Sequence, residues 1–352
     1  MESLLGKNST ELQEVALSMG LPKFAGKQLA EWLYVKRATS FDEMSNLSLK
    51  GREALKNAYT IGRQAPAREA ISRDGTRKYL FPVQVKTPQG VRMQYVESVY
   101  IPDGERATLC VSTQAGCQMG CRFCMTGTLG FHGQLSAADI LNQIFEIDAL
   151  TSHDGRSGEL TNIVYMGEGE PMNNIEAVLR SLDVLTAAYG CGWSPKRITV
   201  SSVGIIPGLK RFLEESECHA AISLHNPFAI ERQQIMPSEK VYPIKEVIAL
   251  LKQYDFSHQR RISFEYICFG GLNDSIKHAD ALLRLLRGLN CRINLIRFHE
   301  GVDNPLPASN EKQMVFLRDY LTSKGIPTTI RRSRGEDILA ACGMLVNALE
   351  KT

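Results

Sequence analysis

The run Gly116-Cys117-Gln118-Met119-Gly120-Cys121-Arg122-Phe123-Cys124 sets three cysteines at C-x3-C-x2-C spacing, the strongest local chemical signal in the chain. Thiolates this close in sequence share one metal centre or lie idle. A structural zinc site wants four closed ligands in pairs, and no second CxxC or CxxH follows at zinc-ribbon spacing. An iron-sulfur cluster suits the pattern better. On a four-iron cubane, three protein thiolates leave one iron open, as a cluster that binds a substrate requires.

Such a loop needs a scaffold, and from about residue 107 the sequence alternates short apolar runs with amphipathic segments, the signature of βα units on a parallel sheet. Strands are predicted at 108–113, 162–167, 197–202, 220–225, 261–268, 292–297 and 327–332. Helices are predicted at 137–150 behind a Ser136 cap, then at 174–188, 206–215, 243–253, 274–287 and 310–324, the last stopped by Gly325. Six βα units predict a partial barrel, with the cysteines in the loop after its first strand. Barrels of this type build their sites past the C-terminal ends of the strands. Upstream, Arg77–Val85 and Val91–Ile101 predict two strands around the turn Thr87-Pro88-Gln89-Gly90. Apolar stripes at Leu12, Val15, Ala16 and Met19, and at Leu29, Trp32 and Leu33, predict short N-terminal helices. The expected fold class is α/β, organised as a helical N-terminal domain at 1–60, a basic linker and β-hairpin at 61–106, and the core at 107–352.

The 352 residues allow two to three domains, or one barrel with an appendage. With 43% hydrophobic and 22% charged residues, the composition excludes disorder, collagen and coiled coil. No apolar run approaches the ~18 residues of a membrane span, and the first residues lack the basic and apolar regions of a signal peptide. A cytoplasmic protein without membrane association is expected, in which the nine cysteines are not disulfides. A net charge of +3 is too weak to announce a nucleic-acid partner. The distribution says more, because residues 61–100 carry seven Lys or Arg against three acids. That run is either a solvated face or a phosphate-contacting patch.

The cysteine spacing and its place after a first barrel strand resemble the radical S-adenosylmethionine (SAM) superfamily, whose members hold the amino and carboxylate groups of SAM on the open iron. The resemblance continues in order along nearly the whole chain. Val96-Glu97-Ser98-Val99-Tyr100-Ile101-Pro102, Leu109-Cys110-Val111-Ser112, the cysteine loop, Gly169-Glu170-Pro171, Ser223-Leu224-His225 and Gly335-Glu336-Asp337-Ile338-Leu339-Ala340-Ala341-Cys342-Gly343 together resemble the radical SAM dual-specificity 23S rRNA/tRNA adenine-C2 methyltransferases. This implies a partial (βα)6 radical SAM barrel with an N-terminal RNA-binding accessory domain. It implies a 4Fe-4S cluster on Cys117, Cys121 and Cys124, and a SAM site at Gly169, Glu170, Ser201, Ser223, Leu224, His225 and His299. Glu170 would meet the SAM amino group, and Ser201 the ribose or methionine moiety. Two positions depart from the family pattern. Glu168 adds a carboxylate where methionine is common, and His299 stands where the family often has asparagine.

Adenine C2 lies between two ring nitrogens and is too electron-poor to attack a sulfonium methyl directly. The resemblance implies a radical route. SAM first methylates Cys342, and a second SAM, cleaved by the reduced cluster, activates that S-methyl group to add to C2. Cys110 then attacks the thioether sulfur to release the RNA, and Glu97 takes the C2 proton. The remaining Cys191, Cys218, Cys268 and Cys291 read as small buried hydrophobes. Arg331, Arg332 and Arg334 read as a holder for substrate phosphate or as a solvent-facing run. The implied partners are 23S rRNA, tRNA and an electron donor such as flavodoxin or ferredoxin, with the enzyme a monomer. Two alternatives stand beside this reading: an adenine-C8 methyltransferase of the same fold, and a non-catalytic, zinc-stabilised RNA-binding protein.

Overall fold

The computed structural model describes residues 1–151, 160–257, 260–299 and 305–345. Ten strands form one continuous sheet, numbered here in chain order: β1 (Arg68–Ile71), β2 (Arg77–Thr87), β3 (Gly90–Asp103), β4 (Arg106–Cys110), β5 (Asn162–Tyr165), β6 (Ile198–Ser202), β7 (His219–Ser223), β8 (Ile262–Cys268), β9 (Cys291–Arg297) and β10 (Thr328–Ile330). Neighbours in sequence are neighbours in the sheet. Strands β4 to β10 pair in parallel and β1 to β4 antiparallel. Six helices return the chain between the parallel strands: α1 (Ala137–Thr151), α2 (Ile175–Thr186), α3 (Ile206–Glu215), α4 (Ile244–Leu251), α5 (Ile276–Leu285) and α6 (Glu311–Ser323). This is the expected partial barrel, with the hairpin β2–β3 extending it beyond its first strand.

Strand alternation decides which residues meet the helices and which meet the lumen. Ile163, Tyr165, Ile198, Val200, Phe264, Tyr266, Ile293 and Leu295 are buried in the core. Their intervening neighbours, among them Val164, Thr199, Ser201, Ser263, Glu265 and Asn294, line cavities instead. The lumen is therefore polar, unlike the packed aliphatic interior of a closed eight-stranded barrel.

The two helix-end signals named from the sequence both held. The Ser136 hydroxyl accepts from the Asp139 N–H at 3.2 Å and starts α1, and Gly325 takes φ +94° just past α6. The first helix, Ser9–Ser18, is capped by Asn8. Asn8 accepts from the Glu11 N–H at 2.9 Å while Glu11 accepts from the Asn8 N–H at 2.7 Å. The N-terminal helices dock on α1 and α2 through the ion pairs Arg37–Asp148, Arg63–Glu146 (2.6 Å) and Arg180–Glu11 (3.2 Å).

That docking, with the hairpin pairing, changes the reading of the basic run. Arg63 is spent on Glu146, Arg77 on Glu69 at 3.4 Å, and Lys78 is buried on Glu97 at 3.0 Å. Arg68, Arg73, Lys86 and Arg92 remain exposed. Among the described residues, no helix is long and apolar enough to cross a membrane.

Candidate active site

Past Cys110 the chain forms a short strand, Gln114–Gly116, paired antiparallel with Phe131–Gln134, and this clasp closes the cysteine loop. Gly116 has φ +68°, and a Cβ there would lie 2.0 Å from the Gly130 carbonyl oxygen, so the clasp requires glycine. The Cys117 N–H donates to the same carbonyl at 2.8 Å. All three cysteines line one cavity of about 140 Å³, the thiol cavity. Burial pushes their thiols up, Cys117 to about 12. A cationic metal centre is what converts buried thiols of this kind into thiolates. Among the described residues, no three His, Cys, Asp or Glu side chains converge closely enough for a single ion. Three buried thiols from one loop, facing a single cavity, fit a 4Fe-4S cluster with one iron left open.

Gly169, Glu170, Ser201, Ser223 and His225 line the same cavity. Gly169 takes φ +95°, and a Cβ there would meet the Gln114 side chain at 2.5 Å. Glu170 is buried, with one oxygen accepting from the Met172 N–H at 3.0 Å and the other from the Val203 N–H at 2.9 Å. Burial pushes it up to about 7, where a nearby ammonium group would favour its ionised form. His225, at φ +55°, accepts at Nδ1 from the Ile267 N–H at 3.0 Å, which leaves Nε2 as the N–H donor. Burial, with Arg232 beside it, pushes His225 down to about 3 and keeps it neutral.

Leu224 departs from its expected place. Its side chain is fully buried in the core and does not line the cavity. Its carbonyl accepts from Arg232, a fully buried guanidinium that also bonds the Ser223 and Val203 carbonyls and pairs with Glu239. Arg232 thus ties the ends of β6 and β7 together, and sequence reasoning missed it.

A second cavity of about 390 Å³ lies where β4 approaches β10 across the gap in the barrel. Cys110, Arg331, Arg332 and Arg334 line it, as does His299, so the histidine stands outside the thiol cavity. Cys342 lines both cavities. Its loop is held over the gap from two sides. Asp337 accepts from the Ser72 hydroxyl at 2.5 Å and from the Arg73 N–H at 3.2 Å, and Asp74 accepts from the Gly335 N–H at 3.0 Å. On the other side the Gly343 carbonyl accepts from the Met125 N–H at 2.8 Å.

Glu97 is buried on the face of β3 that carries Val99 and Ile101 into the gap cavity, one pleat further in. Lys78 pairs with it and also donates to the Leu339 carbonyl at 3.4 Å. Glu168, the carboxylate that departs from the family pattern, turns toward Glu97, accepting from its N–H at 2.8 Å and from the Gly116 N–H at 3.3 Å. Burial pushes Glu168 up to about 8. Sequence reasoning also missed Met166 and Glu265. The one legible signal was Glu265, an acid inside an otherwise apolar strand.

The chain matches the family of ribosomal RNA large subunit methyltransferase N-terminal domains over residues 2–61 and the radical SAM superfamily, which is built around a 4Fe-4S cluster and SAM, over residues 111–285. A relative from Bacteroides fragilis, named a probable dual-specificity RNA methyltransferase RlmN, is 57% identical over 99% of this chain and 97% of its own. The dual-specificity RNA methyltransferase RlmN of Syntrophus aciditrophicus is 38% identical over 95% of this chain and 93% of its own. Among solved structures, a radical SAM methyltransferase from Sphaerobacter thermophilus superposes with a TM-score of 0.88 at 36% identity, covering 98% of this chain and 99% of that one. With the thiol loop, the polar lumen and these full-length matches together, the chain belongs to the RlmN family of radical SAM RNA methyltransferases.

Proposed function

We propose that this enzyme methylates C2 of a specific adenine in 23S rRNA and in tRNA through an S-methylcysteine at Cys342. It acts as a cytoplasmic monomer fed by an electron donor such as flavodoxin or ferredoxin. The observation that carries the reading is the position of Cys342, which lines the thiol cavity and the gap cavity alike. A methyl carrier must face the methyl donor and the acceptor RNA in turn. Cys117, Cys121 and Cys124 would hold the cluster, and Gly169, Glu170, Ser201, Ser223 and His225 the SAM. SAM at the cluster supplies the methyl group and, on reductive cleavage, the radical chemistry that electron-poor C2 demands.

The chain's own residues do the rest. Burial, with Cys342 alongside, pushes the Cys110 thiol up to about 12. A neutral thiol is a poor nucleophile, so Cys110 does not compete with the exposed Cys342 for the methyl group. Once the carbon bridges RNA and Cys342, the odd electron that radical addition leaves on the ring would return to the cluster, and Glu97 removes the C2 proton. Cys110, giving up its proton, attacks the Cys342 sulfur; an S–S bond forms as the C–S bond breaks, and the released carbon takes up a proton to become the methyl group. A thiol reductant must reopen that bond before the next turnover. Arg332 holds phosphate beside the gap, while Arg331 and Arg334 are paired with Glu265 at 3.4 Å and Asp103 at 2.8 Å.

The Cys110→Ala variant tests this. It should methylate Cys342 and react with RNA, then stall as a covalent complex that survives denaturation and disappears on RNase digestion. Turnover without an adduct would return Cys110 to the status of a strand residue. Mass mapping of the product of the wild-type enzyme as 8-methyladenosine would overturn the C2 assignment.

A further inference from the structure

Arg106, Lys196, Arg261 and Arg292 stand within two residues of the starts of β4, β6, β8 and β9. Because those strands are parallel, the four cations converge on the N-terminal mouth of the barrel, opposite the catalytic end. There they surround a cavity of about 400 Å³, a size typical of ligand sites, whose inner wall carries hydroxyl and amide groups such as Thr199, Ser263 and Asn294 together with the Glu265 carboxylate, which Arg331 pairs at 3.4 Å. His219, at the start of β7, registers the crowding. Its burial, followed by the charges of Arg261, Arg292 and Lys196, pushes it down to about 4.

The core helices run antiparallel to the strands, so their partly negative C-terminal ends also point to this face. Cations placed there could serve only to offset them. Arg260 does serve that purpose, donating to the Leu213 carbonyl of α3 at 2.7 Å and to the Cys218 carbonyl at 3.2 Å. The side chains of Arg106, Lys196, Arg261 and Arg292 do not: among the described residues, none makes a hydrogen bond or ion pair. Unneutralised cations around a polar hollow form an anion receptor.

We propose that this basal cavity binds a phosphate-bearing nucleotide of the RNA substrate, away from the reacting adenine. The inference rests on RNA being the substrate. A strand of RNA suits it because the cavity is continuous with the site: Met166 and Arg331 line the basal, thiol and gap cavities alike. Strands of five to seven residues separate the two ends of the lumen by roughly 17–23 Å, within reach of a few nucleotides.

The first measurement is acetylation footprinting of Lys196 in the wild-type enzyme, with and without a tRNA transcript or a 23S rRNA fragment. RNA should protect Lys196 several-fold. The second is RNA affinity across a salt titration for Arg261→Glu/Arg292→Glu. Affinity should fall at least tenfold at low salt, and the slope of log K against log salt should shrink by about two. SAM-dependent methylation of Cys342 without RNA is followed in parallel, and its failure in the wild type faults the methyl-carrier reading rather than the basal site. An unprotected Lys196, or an unchanged affinity and slope, overturns the proposal. So does protection of Lys196 by AMP alone, which would mark a site for free nucleotide. A lowered melting temperature with intact RNA binding would reduce the cations to helix-end compensation, and if the variant does not fold the wild-type footprint decides.

Discussion

Lys78 shows how one side chain joins two parts of the proposed chemistry. Its ammonium is buried against Glu97 and donates to the carbonyl of Leu339, three residues before Cys342. Breaking a buried ion pair by removing one partner costs ~3–5 kcal/mol, because the other charge is left uncompensated. Lys78→Met should therefore slow proton removal by Glu97 and loosen the carrier loop at the same time. The expected outcome is accumulation of the RNA–protein adduct, measured by denaturing gel, while methylation of Cys342 in the absence of RNA stays within about an order of magnitude. Lys78→Arg should recover part of the loss. An adduct that resolves at the wild-type rate in Lys78→Met would remove Lys78 from the mechanism.

At the scale of elements, the site depends on loops held at the C-terminal ends of separate strands. Arg232 does this for β6 and β7, giving its three donor groups to the carbonyls of Leu224, Val203 and Ser223 and to Glu239. Arg232→Met would leave Glu239 buried without its cation and three carbonyls without donors. Loss of ~3–5 kcal/mol in urea unfolding is expected, together with weaker SAM binding, since Ser223 and His225 leave their places. The carrier loop is held in the same manner from the hairpin side, by Asp74 and Asp337. Burial opposes the ionised form of Asp74, but hydrogen bonds from Thr76, Gly335 and Ser72 outweigh it and hold the carboxyl at about 2.

Across the whole molecule, the two ends of the barrel have different electrostatics, and His219 reports on the basal one. Its folded value of about 4 lies below the ordinary value of about 6.5. The folded state thus keeps the ring neutral while the unfolded chain takes up a proton. The stabilising contribution is complete above about pH 6.5 and is lost as pH falls through 4. NMR titration of the His219 ring should give a midpoint near 4. In Arg261→Glu/Arg292→Glu the midpoint should move toward 6.5, and the acid loss of stability should narrow with it. A midpoint unmoved by the double substitution would show that burial alone, and not the cation ring, sets the value.

The sequence by itself determined what depends on near neighbours: the three thiols in one loop, the alternation that builds βα units, the two-residue turn of the hairpin, and the caps at Ser136 and Gly325. These are written in residue type and period, because adjacent backbone geometry enforces them. The motifs further located Cys110, Glu97 and Cys342, though not what each one touches. Sheet register decided that. Lys78 faces Val99 across β2 and β3, which makes Glu97 its diagonal neighbour, and a slip of one residue would have sent Lys78 to the opposite face. The curl of the sheet decided the rest. It brought Cys342 to the junction of two cavities, left His299 in the gap, drew Leu224 into the core, and gathered the cations of four distant strands at one mouth. Such contacts join residues tens to hundreds of positions apart, and periodicity carries no information about which strand ends will meet when a sheet closes on itself.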